Sequence, residues 1–102
     1  MVLVQPNKTI LSGRVRSIRP DPGGRGTEVE LEVLANESPS AERDFLRPAP
    51  GSVLTAFAAE PPFGVRERDL VRVEACLLAG PGGGRAVIES IEPRRSRPGS
   101  GG

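Results

Sequence analysis

Glu28, Glu30 and Glu32 stand at alternate positions in one apolar run, and Arg14 and Arg16 have the same spacing in the run before it. Alternate residues of an extended chain share a face, so each set forms a row. Facing rows of opposite charge make a ladder of ion pairs, each worth roughly 0.2–1 kcal/mol. The same arginines could instead clamp phosphates. The spacing favours the ladder.

Acid–base catalysis by carboxylates needs two of them facing across a cleft. These three lie along one strand face. Histidine is absent, which removes an imidazole base, a histidine triad and the usual zinc site. Cys76 is the single cysteine and lies inside an apolar run. It reads as a small packing residue, because a reactive thiol needs a basic neighbour, and it has no internal disulfide partner. No spacing recommends carboxylate binding of magnesium or calcium. Gly80 to Gly84 lacks the Lys-Ser/Thr of a phosphate loop and joins two apolar runs, as a flexible hairpin does. The expectation is a binding module with no catalytic residue, cofactor or metal.

Five runs must position these side chains. They are Thr9–Ile18, Thr27–Leu34, Ser52–Ala59, Leu70–Leu78 and Arg85–Ile91. The second alternates strictly, which points Val29, Leu31 and Val33 inward and the three glutamates outward. Val71 and Val73 alternate in the same way in the fourth. Most of the 13 glycines and 11 prolines cluster between the runs, where turns require them. Residues 35–51 read as a polar loop broken by Phe45-Leu46. In the 60–69 connection, Pro61, Pro62 and Gly64 forbid a long helix.

The 102 residues suffice for one domain with its own core. The expected domain covers 1–93, with 1–7 as an N-terminal arm and 94–102 as a basic Gly/Ser/Pro tail too polar to fold. Residues 1–93 carry eleven basic and thirteen acidic side chains, so only the tail is distinctly basic. No apolar run reaches the length of a membrane span, and the N-terminus lacks the pattern of a secretory signal. A cytoplasmic location is the default expectation.

This order of runs resembles the OB-fold, a five-stranded Greek-key barrel. Gly13 sits in the first run, where such barrels bend a strand so that it serves both sheets. Arg68-Asp69-Leu70-Val71-Arg72-Val73-Glu74-Ala75 is similar to the G-D-x-V-x-V-x-G pattern that opens the fourth strand of many OB proteins. It departs at Arg68 and Ala75, where glycine is usual. The fold expectation is therefore all-β, a five-stranded Greek-key barrel with little helix.

The resemblance implies single-stranded nucleic acid as ligand, bound on the outer face of the second and third strands and by the loop after the first. Arg14, Arg16, Arg25, Arg43 and Arg47 then supply charge, and Phe57 joins them as the one aromatic. Phe57 and Phe63 are also natural core residues by the burial tendency of Phe. The alternative is a protein–protein interaction module or self-associating subunit. Its contacts are Glu28, Glu30, Glu32 and the Phe63 of an apolar Pro-Pro-Phe loop.

Overall fold

The structure is a computed structural model that describes residues 2–3, 6–24, 26–60, 64–80 and 83–94. The strands are β1 (Val2–Leu3), β2 (Thr9–Pro20), β3 (Thr27–Asn36), β4 (Val53–Ala58), β5 (Leu70–Gly80) and β6 (Gly83–Pro93). No helix occurs among the described residues. The expected runs are all present, most of them longer than the apolar pattern alone indicated. The short β1 is additional. It pairs antiparallel with β5 through Val2–Ala79 and Leu3–Leu78, so part of the expected arm is a strand.

The other five strands close on themselves. Antiparallel pairs join β2 to β3, β3 to β4, β5 to β6 and β2 to β5, and a parallel contact between Phe57 and Val87 joins β4 to β6. The result is a small closed five-stranded barrel, consistent with an OB-like fold. Closure uses β2 twice: Thr9 to Arg14 pair with β5 while Leu11 to Pro20 pair with β3, so Leu11 to Arg14 serve both. Such sharing demands a bend, and the register shifts between Ser12 and Gly13. A Cβ at Gly13 would stand 2.7 Å from the Glu32 carbonyl oxygen. Glycine is needed there because the β3 backbone comes so near.

The interior holds Leu11, Val15, Val29, Leu31, Val71, Val73 and Ala75, all but sealed from solvent. The alternation read from the sequence thus sets the inner face of β3 and β5. Val65, from the connection after β4, is also part of this core. Leu46, from the long loop after β3, packs against it. Asp44 anchors that loop. It is buried and accepts hydrogen bonds from the Thr9 hydroxyl at 2.6 Å, the Asn36 amide at 2.6 Å and the Arg47 backbone N–H at 2.8 Å. Among the described residues no buried side-chain nitrogen or oxygen lacks a partner.

Candidate nucleic-acid interface

The outer face of β2, β3 and β4 is ordered by the same register that fills the core. Across β3 and β4, Glu32 stands opposite Val53, Glu30 opposite Thr55 and Glu28 opposite Phe57. Directly opposed residues put their side chains on one side of the sheet. Because Val29, Leu31 and Val33 are inside, this row is outside.

The facing row on β2 departs from the expected ladder. Arg14 is opposite Glu32, but no ion pair within 4.0 Å joins them among the described residues. Arg16 Nε lies 3.6 Å from Glu30 Oε1. The third rung is Arg19, whose Nη2 donates to Glu28 Oε1 at 3.0 Å. Strict alternation from Arg14 and Arg16 would put residue 18 outside and Arg19 inside. The structure does the opposite, because β2 bulges between Val15 and Ser17. The extra residue moves Ile18 onto the core opposite Val29 and turns Arg19 outward opposite Glu28.

Phe57 does not fill the core, which corrects the reading that its burial tendency suggested. It lies half-buried on the outer face of β4, and the Arg85 guanidinium carbon stands over its ring, 4.4 Å from the centroid. The ring also crowds Gly26, where a Cβ would come within 2.6 Å of Phe57 Cζ. Gly26 has φ +75°, a conformation that favours glycine. The Arg85 guanidinium also donates to Asp21 Oδ1. Asp21 organises the β2–β3 turn: its Oδ2 accepts from the Gly23 N–H at 3.0 Å, and its carbonyl from the Gly24 N–H at 2.8 Å. Asp21, Phe57 and Arg85 thus meet where the β2–β3 turn approaches the start of β6. Sequence reasoning missed Asp21 and Arg85. Their partnership depends on barrel closure, and no local pattern signals it.

The remaining predicted residues are not gathered here. Arg43 and Arg47 lie on the loop after β3, exposed, at the opposite end of β2 and β3 from the Asp21 turn. Backbone groups of both serve that loop: the Arg43 carbonyl accepts from the Lys8 N–H, and the Arg47 N–H donates to Asp44. Arg25 and Phe63 lie outside the described residues, as does the tail beyond Arg94. Arg94 itself donates its backbone N–H to the Leu70 carbonyl, and its guanidinium to Glu37 Oε2 at 2.9 Å. A recess of about 370 Å³ lies elsewhere, lined by Gly64, Arg66, Asp69, Leu70, Pro93 and Arg94.

Cys76 is buried inside β5. Burial, reinforced by the nearby Glu89 carboxylate, pushes its thiol above the usual range. Among the described residues no cluster of acidic or cysteine side chains could hold a metal ion.

Fold and face together define the class: a small closed β-barrel, consistent with an OB-like fold, with a charged outer face on β2–β4. Comparison with protein-family models, curated proteins and solved structures finds no match for this chain.

Proposed function

We propose that the chain is a non-catalytic module that binds single-stranded nucleic acid along the outer face of β2, β3 and β4, with arginines supplying the affinity. The observation that carries this reading is the pairing of Arg16 with Glu30 and Arg19 with Glu28. Three unopposed glutamates would repel phosphate. Two of them are neutralised where they stand, and Arg14 is exposed beside the third. The paired arginine side chains are 54 % and 60 % exposed. Exposed ion pairs contribute about 0–1 kcal/mol, so a phosphate can take over either guanidinium at little cost.

Binding of this kind is weak, poorly selective for sequence and steep in salt, because each neutralised phosphate releases counterions. The test is a titration of labelled oligo-dT and oligo-U at low salt. Wild type is expected to bind, and the combined change Glu28→Gln, Glu30→Gln and Glu32→Gln to bind more tightly, since it frees the arginines. No detectable binding at about 100 μM, a range where non-specific binders respond, would remove this reading.

A second reading, a protein partner on the same face, is favoured by Leu34 and Val53. They are the exposed large hydrophobics among the described residues, at 43 % and 47 %. Both lie beside Glu32 on the outer side of β3 and β4. Here the glutamates support the contact, and the same triple change weakens the complex. One mutant therefore carries opposite signs under the two readings.

A further inference from the structure

The geometry points to Arg85 as a stacking platform on which an unpaired base of the bound strand lies. This rests on the nucleic-acid reading above and gives it a base-contacting residue. Single-strand binders combine a basic track with flat surfaces, and those surfaces are usually aromatic rings. Here the ring on the outer face is Phe57, and Arg85 already stands over it. A guanidinium is itself planar, and bases stack on it as they do on rings. Gly26 lies against the edge of the Phe57 ring, and the Arg85 guanidinium stands over its face with part of its side chain in solvent.

Two features suit Arg85 to this role more than to gripping phosphate. Its charge is already matched by Asp21, which holds the guanidinium by Oδ1 while its own Oδ2 is tied to the Gly23 N–H. The group is therefore fixed in place before any ligand arrives. Its side chain nevertheless remains 40 % exposed, beside the row of Arg16 and Arg19 that would track the backbone. Phe57 stands directly opposite Glu28, the partner of Arg19, so the platform and the basic track are neighbours.

The experiment compares short oligo-dT with an abasic strand of equal length and charge, by fluorescence anisotropy at low salt. Wild type is expected to prefer oligo-dT by roughly fivefold or more, the lower end of what one stacked base contributes. Arg85→Lys keeps the charge but not the plane. It is expected to bind both strands as wild type binds the abasic one, with the salt slope unchanged. A second measurement needs no variant: the Nε–Hε resonance of Arg85 in the wild-type protein should move on addition of oligo-dT and stay put with the abasic strand. Equal binding of the two strands by wild type, a preserved preference in folded Arg85→Lys, or an unmoved resonance would each overturn the platform while leaving phosphate binding intact. Absence of binding to either strand would overturn both.

Discussion

Asp21 and Arg85 are joined by an ion pair although 64 positions separate them in the chain. The pair ties the β2–β3 turn to the start of β6, beside Phe57, which touches both Gly26 and Arg85. Asp21 is buried while Arg85 stays partly in solvent, so the carboxylate is the fixed partner and the guanidinium the one it positions.

A double-mutant cycle of Asp21→Asn and Arg85→Gln should show a coupling of roughly 0.2–1 kcal/mol that shrinks as salt is added, because the arginine half is solvent-screened. Asp21→Asn alone also weakens the turn by removing a charged acceptor from the Gly23 N–H. Additive effects in chemical denaturation would show that the two residues do not act together.

Leu31 is completely buried at the centre of the core. Leu31→Ala removes transfer energy and leaves a cavity in a closed barrel with little room to collapse. The expected loss is roughly 2–5 kcal/mol. A urea midpoint that barely moves would contradict the packing described for β3.

Asp44 makes stability depend on pH. Burial raises its pKa, but hydrogen bonds from Thr9, Asn36 and the Arg47 amide, together with the Arg47 charge, outweigh burial and hold the carboxyl below its ordinary value. The folded state then binds this proton less readily than the unfolded one. The stabilisation is complete above the unfolded value of about 3.9 and is lost as pH falls through the lower folded value. All three hydrogen-bonding partners donate, so Asp44→Asn sets an amide NH2 among donors. The variant should lose roughly 1–3 kcal/mol at neutral pH, and the gap from wild type should narrow below about pH 4 as Asp44 protonates. A gap independent of pH would refute the assignment.

Cys76 should be inert in the folded protein, because burial and Glu89 keep its thiol protonated at neutral pH. A thiol reagent such as iodoacetamide is expected to label it only as fast as the barrel opens, and labelling should accelerate in denaturant. Prompt modification under native conditions would show that β5 is more open than the structure places it.

Much of the fold was legible in the sequence. The alternation in β3 set Val29, Leu31 and Val33 against the three glutamates, and the glycine and proline clusters marked the turns. Gly13 was legible as a bend, though not its cause, the approach of the Glu32 carbonyl. Val65 was not legible. A single valine in a proline-broken connection has no periodicity, and only the folded chain, which packs it with the strand residues of the core, makes it a core residue. The site was legible in its outward glutamates and in Arg16. Phe57 was placed in the correct strand, but whether its ring lay in or out depended on a partner from β6.

The sequence alone determined the features that depend on neighbours along the chain: the period-two faces, the positions of turns, and the absence of an imidazole base. Each rests on local stereochemistry or on residue type. Tertiary structure decided which charges meet. One bulged residue between Val15 and Ser17 reverses the faces beyond it, so Arg19, which strict alternation would turn inward, takes Glu28. Closure of β4 on β6 carries Arg85 to Phe57 and Asp21. The physical reason is that such pairings are chosen by register and closure, which depend on the whole barrel packing at once.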